Sequence, residues 1–257
     1  MPFIIKQDKF GVIGNPIAHS KSPIIHNLWY ERLNINANYE KILVENPNDL
    51  KNTILKYKGV NVTLPYKEEV AILANYKDEG VINTKAANTI INDNGILKAY
   101  NTDIFGFYEP IKNYKINNAL VIGAGGAARA VYYSLAKNNI KTKVINRSKK
   151  DDFLCEVHTT LDKFEFDLII NSTSASLKNL LPLEENLLEK LAKNTKIAYD
   201  LAYNHDIFLD FCKLKNPNII TQDGLDMLIF QAALAFEYFC GIYPNEDLIN
   251  EARELIK

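Results

Sequence analysis

The chain has 257 residues, a formal net charge of −1, 47% hydrophobic residues and 24% charged residues. This length suits one large domain or two modest ones, and the composition is ordinary for a soluble globular protein. The balanced charge provides no overall positive field for nucleic acid, and no apolar run approaches the ~20 residues that a membrane-spanning helix needs.

The first hundred residues alternate strand-like and helix-like patterns. The segment 22–34 predicts a helix, with Ser22 as its N-cap and Pro23 at its first position. In NVTLPYK (61–67), apolar and polar residues alternate up to Pro65, which predicts a half-buried strand that ends there. The predicted strands are FGVIG (10–14), NYEKILVE (38–45) and GVNVTL (59–64).

A hairpin is predicted at 88–103, because Asn94-Gly95 suits the two-residue type I′ turn. From residue 117 onward the pattern becomes an apolar strand, a glycine-rich turn and a helix. Four more strand-like segments follow at the spacing of strand–helix units, which predicts a parallel, doubly wound sheet. The four segments are KTKVINRS, FDLIINSTS, KIAYDLAYN and NPNIITQDG, and the closing helices are predicted at 225–241 and 244–255.

The cysteines and histidines argue against a metal site. Cys155, Cys212 and Cys240 are far apart and odd in number, which is typical of a reducing compartment and not of a disulfide framework. The four histidines lack ligand spacing such as HExxH. The start of the chain, MPFIIKQDKF, mixes charges with apolar residues and is a poor signal peptide. We therefore expect a cytoplasmic protein without a metal ion.

The glycine-rich turn matches the GxGxxA pattern of dinucleotide-binding loops, with Gly126 and Ala127 completing it. Gly123 permits the tight turn that leaves the strand, and Gly125 lets the backbone approach a pyrophosphate. Ala128 allows close packing of helix on strand, and the free N–H groups of that helix point toward the phosphates. The alternative is a tight strand–helix turn that binds no ligand.

The next strand-like segment predicts which dinucleotide is bound. Sites for NAD usually place an acid about 20 residues after the glycines, but here Asn146, Arg147 and Ser148 stand at the strand end. An arginine can bind a 2′-phosphate that a carboxylate would repel, so we expect NADP with Arg147 as the main anchor. Asp151 and Asp152 follow closely and would weaken the positive field. The alternative is a solvated basic loop.

Polar clusters elsewhere have ordinary explanations when taken singly, as helix caps and turns. Taken together and in order, they resemble the signature motifs of the shikimate dehydrogenase family over nearly the whole chain, from about Phe10 to Gly241. The motifs are SKS within NPIAHSKSP, NVTLPYK, AANT, YNTDIFGF, VIGAGGAARA, INRS, NSTS, YDLAY and DGLDMLIFQAA.

The resemblance implies a role for each matching residue. Lys67 and Asp103 would be the catalytic pair beside the hydroxyl that is oxidised, and Gly224 would lie near the nicotinamide. Recognition of a small ring with hydroxyls and a carboxylate needs many short hydrogen-bonding side chains, which the motifs supply. The implied substrate-binding residues are Ser20, Ser22 and Tyr203 for the carboxylate, Thr63, Asn88 and Gln231 for the ring hydroxyls, and Asn61 in support.

The expected fold is α/β with two domains. One is an N-terminal substrate-binding catalytic domain of 1–101 plus about 237–257, on which the C-terminal helices pack back. The other, 102–236, is a Rossmann-type, doubly wound NADP-binding domain.

The expected activity is the NADP-dependent, reversible conversion of 3-dehydroshikimate to shikimate in aromatic amino-acid (chorismate) biosynthesis. The expected partner is this small-molecule substrate, with neither nucleic acid nor membrane, and the chain would act as a monomer or a homodimer. Two alternatives remain open: a quinate/shikimate dehydrogenase that uses NAD, and a non-catalytic ligand sensor on the same fold.

Overall fold

The computed structural model describes residues 7–257, which form two compact units. Unit 1 takes in the chain up to Thr102 together with Ile229–Lys257, and unit 2 is Asp103–Leu228. The division predicted from the sequence placed the two boundaries after residues 101 and 236. Within the described residues, no helix has both the length and the apolar character to cross a membrane.

Unit 1 is built on one six-stranded mixed sheet. Its elements up to Thr102 are β1 (Asp8–Gly14), α1 (Ser22–Arg32), β2 (Ala37–Leu43), α2 (Leu50–Ile54), β3 (Gly59–Val62), α3 (Lys67–Leu73), β4 (Tyr76–Lys77), α4 (Glu79–Thr84), β5 (Thr89–Asp93) and β6 (Ile96–Tyr100). The strand order is β2-β1-β3-β5-β6-β4, in which β2, β1 and β3 are parallel and β5 is antiparallel to both its neighbours. This sheet confirms the α/β class predicted for the first half of the chain.

Strand β3 lies in the middle of this sheet, and all four of its residues are buried. The predicted alternation of buried and exposed residues is therefore wrong for this strand, because its polar residue Asn61 is buried as well. The strand also ends at Val62, before the predicted end, and Leu64 beyond it is 65% exposed. A central strand has both faces covered, so even its polar side chains leave water.

Helix α1 starts one residue earlier than predicted. Ser22 is its first residue, and Lys21 occupies the N-cap, where its side chain does not cap the helix. Ser20 Oγ accepts a hydrogen bond from the backbone N–H of Ser22 at 3.3 Å, so the hydroxyl that serves the helix start is not that of Ser22. The predicted N-cap role of Ser22 is therefore wrong.

The hairpin between β5 and β6 has the predicted turn. Asn94 and Gly95 both have positive φ, 52° and 93°, as a type I′ turn requires. Asn92 Oδ1 accepts a hydrogen bond from the backbone N–H of Gly95 at 2.8 Å. The hairpin brings the residues just before β5 next to those just after β6.

Unit 2 is built on a six-stranded parallel sheet with helices. Its elements are α5 (Asp103–Tyr108), β7 (Asn118–Ile122), α6 (Gly126–Lys137), β8 (Lys141–Ile145), β9 (Val157–His158), β10 (Leu168–Asn171), α7 (Glu185–Lys193), β11 (Ile197–Asp200), α8 (Ile207–Lys215) and β12 (Ile220–Gln222). The order β12-β11-β10-β7-β8-β9 is that of a doubly wound sheet, as predicted.

The connection from β8 to β10 departs from the regular strand–helix alternation. Between these strands the structure has the two-residue strand β9 and no helix. Phe153, Cys155, Leu161 and Phe164 pack singly against the core clusters of the sheet. The apolar residues at 153, 157, 161 and 164 are spaced by four, four and three positions, as in an amphipathic helix, but the structure instead pairs β9 with β8.

Two helices close the chain: α9 (Leu225–Cys240) and α10 (Glu246–Ile256). Within unit 1, α10 packs on α1, which confirms that the end of the chain packs back on the first half. Trp29 Nε1 donates a hydrogen bond to the carbonyl of Leu248 at 3.0 Å. Lys21 Nζ donates to the carbonyl of Ile256 at 2.6 Å, at the end of α10.

Candidate functional site

Unit 1 contains a buried group of short polar side chains, here called the amide–hydroxyl cluster. Its members come from four separate parts of unit 1: β3, the first residue of β5 with the residue before it, the second residue after β6, and α9. Sheet pairing of β5 with both β3 and β6 brings the first three parts together. The cluster consists of Asn61, Asn88, Thr89, Thr102 and Gln231, all of them buried.

Asn88 is the hub of the amide–hydroxyl cluster. Its Oδ1 accepts a hydrogen bond from the backbone N–H of Thr102 at 2.7 Å and from the Thr89 hydroxyl at 3.2 Å. Its Nδ2 donates to Thr102 Oγ1 at 2.9 Å and to Gln231 Oε1 at 3.2 Å. Because a backbone N–H is only a donor, the orientation of the Asn88 amide is determined.

Asn61 is held in the same way. Its Nδ2 donates to the carbonyl of Asn88 at 3.1 Å and to Thr89 Oγ1 at 2.9 Å. Its Oδ1 accepts a hydrogen bond from the hydroxyl of Tyr39 at 2.7 Å. Tyr39 was not among the predicted site residues, and no pattern in the sequence distinguishes it from any other buried strand residue. The structure thus brings together Asn61, Asn88 and Gln231 as predicted neighbours and adds Tyr39.

The two predicted carboxylate-binding serines lie side by side at the start of α1. Ser20 Oγ donates to Ser22 Oγ at 3.3 Å. Two adjacent hydroxyls can each donate to one oxygen of a carboxylate. Lys21 lies between them and is tied to the end of α10 through its bond to Ile256, so the C-terminal helix supports this turn.

Lys67 and Thr63 follow the end of β3. Lys67 is the first residue of α3 and is half-buried, and its backbone carbonyl accepts a hydrogen bond from the N–H of Ala87 at 2.8 Å. This bond ties the lysine to the residue next to Asn88. Thr63 is also half-buried, and its backbone N–H bonds to the carbonyl of Ile13 at 2.8 Å.

Two further predicted site residues belong to unit 2. Asp103 is buried and is the first residue of α5. Tyr203 is half-buried and follows β11 by a few residues, and burial raises the pKa of its hydroxyl above the usual value. Its hydroxyl therefore stays protonated and can donate a hydrogen bond at neutral pH.

The glycine loop of unit 2 has a geometry that fits a pyrophosphate. Gly123 has φ of 106°, and a Cβ there would lie 2.7 Å from Ser172 Oγ. At Gly125 and Gly126 a Cβ would meet nothing within 4 Å, so this side of the loop is open for a ligand. Helix α6 starts here without a side-chain cap, and Ala128 in its first turn is fully buried. An uncapped helix start with an open backbone is a suitable anion site.

The basic loop after β8 has no acid at the strand end. Asn146 Nδ2 donates to the carbonyl of Ser148 at 2.9 Å, and Arg147 and Ser148 are exposed. Asp152, which was expected to weaken the positive field, instead accepts a hydrogen bond from Arg129 Nη2 at 2.7 Å. Arg129 therefore offsets the charge of Asp152, while Asp151 remains an exposed acid in the same segment.

Gly224 packs too closely on its surroundings for any side chain. A Cβ at this position would lie 2.1 Å from the carbonyl oxygen of Leu201. The backbone N–H of Gly224 also bonds to the carbonyl of Ala202 at 3.0 Å. The glycine therefore holds the segment after β11 against the start of α9.

Unit 2 contains a buried polar network of its own. The sequence motifs NSTS and YDLAY belong to it, but sequence reasoning did not assign these residues to the functional site. Asp200 Oδ2 accepts hydrogen bonds from Ser176 Oγ at 2.5 Å and from Asn171 Nδ2 at 3.1 Å, and Oδ1 accepts one from the N–H of Ala202 at 3.0 Å. Burial raises the pKa of Asp200, and these hydrogen bonds oppose the rise. The network joins the ends of β10 and β11, the edge where doubly wound sheets bind ligands.

Comparisons with protein families agree with these features. The family model described as shikimate dehydrogenase substrate binding domain matches residues 12–90. The model described as shikimate 5'-dehydrogenase C-terminal domain matches residues 224–252.

Curated relatives named shikimate dehydrogenase (NADP(+)) align along most of the chain. The relative from Helicobacter acinonychis is 44% identical over 244 residues, which cover 90% of this chain and 91% of the relative. The relative from Caldanaerobacter subterraneus is 35% identical over 273 residues, with 94% and 95% covered.

Solved structures of shikimate dehydrogenases have the same fold. The structure from Aquifex aeolicus has a TM-score of 0.85 at 32% identity and covers 96% of this chain and 97% of its own. The structure from Thermus thermophilus, in complex with NADP(H) and shikimate, has a TM-score of 0.84 at 30% identity, with 97% and 99% covered.

Proposed function

Because the chain belongs to the shikimate dehydrogenase family, we propose that it is an NADP-dependent shikimate dehydrogenase. It interconverts 3-dehydroshikimate and shikimate reversibly, in the biosynthesis of chorismate and the aromatic amino acids. The observation that carries the proposal is the amide–hydroxyl cluster. A site made of buried amides and hydroxyls suits a small ring that carries several hydroxyls, and it rejects analogues that leave those groups unpaired.

Each unit has its own part in this proposal. Unit 1 is the substrate-binding domain, in which Ser20 and Ser22 bind the carboxylate. Tyr203 of unit 2 assists them with a protonated hydroxyl. The residues that bind the ring hydroxyls are Thr63, Asn88 and Gln231, with Asn61 in support.

Unit 2 is the NADP-binding domain. The open backbone at Gly125 and Gly126 and the uncapped start of α6 support pyrophosphate binding there. Arg147 binds the 2′-phosphate, with Asn146 and Ser148 beside it. When bound, NADP accepts or donates the hydride. Everything else in the reaction has to come from side chains of this chain.

Lys67 and Asp103 are the proton-transfer pair. A hydroxyl that becomes a ketone loses a proton as well as a hydride, and a positioned side chain must take that proton. The ammonium group of Lys67 also stabilises negative charge as it develops on the reacting oxygen. We assign the proton transfer to the pair and not to either residue alone.

We further propose that the chain acts in the cytoplasm as a monomer or a homodimer, without a metal ion, nucleic acid or membrane. The balanced charge of the chain supports this proposal.

The Arg147→Ala variant is expected to raise the KM for NADP by about 10-fold or more and to leave the KM for NAD nearly unchanged. The lost interaction is a hydrogen bond between two charged groups, which contributes about 1.5–3 kcal/mol. Steady-state kinetics with both cofactors measure the effect. Lys149→Ala is the matched control, because Lys149 is an exposed cation in the same loop. Equal losses in the two variants would mean that the loop acts only through its overall charge.

Initial rates with four substrate–cofactor pairs test the function itself. Purified protein is assayed with shikimate or quinate, each with NADP or NAD. Strong turnover confined to shikimate with NADP is the expected result. Comparable rates with quinate or NAD would favour the broader quinate/shikimate dehydrogenase. Binding of both ligands without turnover of any pair would favour a ligand sensor.

A further inference from the structure

Tyr39 makes contacts with two parts of unit 1 that have separate tasks in substrate binding. It lies in β2, an edge strand of the sheet, and its side chain is buried. Its hydroxyl donates to Asn61 Oδ1 at 2.7 Å, which joins it to the amide–hydroxyl cluster. Its ring and backbone contact α1, the helix that starts with the serine pair.

The contacts with α1 come from two consecutive residues of that helix. The ring of Tyr39 stacks on the ring of His26 with 4.1 Å between centroids and 5° between planes. The side chain of Asn27 bonds to the backbone N–H and carbonyl of Tyr39, which have no neighbouring strand on that side of β2 in the described part of the chain. Asn27 Nδ2 donates to the carbonyl of Tyr39 at 2.9 Å, and Asn27 Oδ1 accepts from the N–H of Tyr39 at 2.9 Å. The backbone and ring of Tyr39 thus contact α1, and its hydroxyl contacts the amide–hydroxyl cluster.

The contact with the amide–hydroxyl cluster has a defined direction. Asn61 Nδ2 donates to the carbonyl of Asn88, which is only an acceptor, so Asn61 Oδ1 faces Tyr39 and the tyrosine hydroxyl must be the donor. Thr89 Oγ1 accepts a hydrogen bond from Asn61 Nδ2, and the Thr89 hydroxyl donates one to Asn88 Oδ1. Burial raises the pKa of Tyr39 well above its usual value, so this donor keeps its proton.

We propose that Tyr39 is a positioning residue for substrate binding, which aligns the serine pair of α1 with the amide–hydroxyl cluster. This inference rests on the proposed function, in which those two groups bind opposite parts of one small ring. A small, rigid ligand is bound by both groups at once only when they lie at the right separation. Tyr39 contacts the cluster at Asn61 and the helix of the serine pair at His26 and Asn27, so it links the two groups.

The Tyr39→Phe variant tests the proposal. It keeps the ring on His26 and the backbone bonds to Asn27, and it removes only the donor to Asn61. We expect the Kd and KM for shikimate to rise about 10-fold, because Asn61 loses the donor that fixes its orientation in the amide–hydroxyl cluster. The Kd for NADP should change by less than about 2-fold, and kcat should change little, as for a loss of uniform binding. Calorimetric titration with each ligand and steady-state kinetics measure these quantities.

Two further variants separate positioning from folding. Tyr57→Phe is the matched control, because it removes a tyrosine hydroxyl bonded to Glu40 Oε1 at 2.8 Å in the same unit but at an exposed site. It should leave shikimate binding unchanged. Asn27→Ala removes the two hydrogen bonds between α1 and the backbone of Tyr39, and it should also weaken shikimate binding, with NADP binding retained.

Each outcome decides between the two proposals. If Tyr39→Phe lowers the free energy of unfolding but binds shikimate as tightly as the parent protein, the tyrosine is purely structural and the positioning role is wrong. If the parent protein itself neither binds nor oxidises shikimate, the proposed function fails and the positioning role fails with it. A rise in shikimate Kd confined to Tyr39→Phe and Asn27→Ala supports the proposal.

Discussion

The Lys67→Met variant is expected to lower kcat for shikimate oxidation by about 10²-fold or more while the protein stays folded. Methionine has nearly the length of lysine and can retain its packing at the start of α3, where Lys67 is half-buried. The substitution removes the ammonium group, and with it both the proton transfer and the charge stabilisation proposed for this residue. The KM for shikimate should change much less than kcat, because the lost interaction acts mainly in the transition state.

The measurement is kcat at saturating shikimate and NADP, together with urea unfolding of each variant. Lys77→Met is the matched control, because Lys77 is another half-buried lysine of unit 1. The double variant with Asp103→Asn should lose little more than Lys67→Met alone, since residues that act as a unit are not additive. A kcat within about 3-fold of the parent value in folded Lys67→Met would remove Lys67 from the proton-transfer step.

The His26→Phe variant is expected to reduce the loss of stability in acid. His26 is fully buried, and neither ring nitrogen has a hydrogen-bond partner among residues 7–257. Burial lowers its pKa from 6.5 to about 3. The rings packed against it carry no charge at acidic or neutral pH, and phenylalanine can take the same place among them. They are Trp29, Tyr30, Tyr39, Phe236 and Phe239.

The direction of the effect follows from proton uptake. Above pH 6.5 the histidine is neutral in the folded and the unfolded chain, so its contribution to stability does not change with pH. Between pH 6.5 and about 3 the unfolded chain binds a proton that the folded chain does not. The free energy of unfolding therefore falls as pH falls, by about 1.4 kcal/mol per pH unit from this one residue. The variant should lack this contribution.

Urea unfolding at several pH values between 7 and 4.5 measures the difference. The advantage of His26→Phe over the parent protein should grow by about 2.7 kcal/mol between neutral pH and pH 4.5. His205→Phe, at an exposed histidine, controls for the loss of a histidine as such. Parallel pH dependences of the parent protein and His26→Phe would show that His26 takes up its proton equally in both states.

Local features of the chain were predictable because local residue types determine them. Asn94-Gly95 has the positive φ values of the predicted turn, and Gly123 has the positive φ of a tight strand–helix turn. The parallel sheet of unit 2 follows from strand-like segments at regular spacing, and it was predicted from that spacing alone. The family was identified from short motifs in a set order, and the comparisons confirm it.

Other features could not be predicted, because they depend on what covers an element after folding. The alternation of polar and apolar residues in β3 predicts a half-buried strand, yet both faces are covered and Asn61 is buried. The first residue of α1 depends on the Ser20 hydroxyl, which displaces Ser22 from the predicted cap. The segment between β8 and β10 has both the length and the apolar spacing of a helix, yet it forms only the short strand β9, which pairs with β8.

Sequence patterns were enough to predict the hairpin turn, the glycine loop, the missing acid after β8 and the family. Which polar groups form hydrogen bonds with one another depends on the folded arrangement of the chain. Asn88 and Gln231 are 143 residues apart, and Tyr39 and Asn61 are 22 apart, and each pair forms one buried hydrogen bond. A hydrogen bond requires its two heavy atoms to lie within about 3 Å of each other. Folding alone brings such distant residues that close, so the local sequence around one residue does not predict its partner.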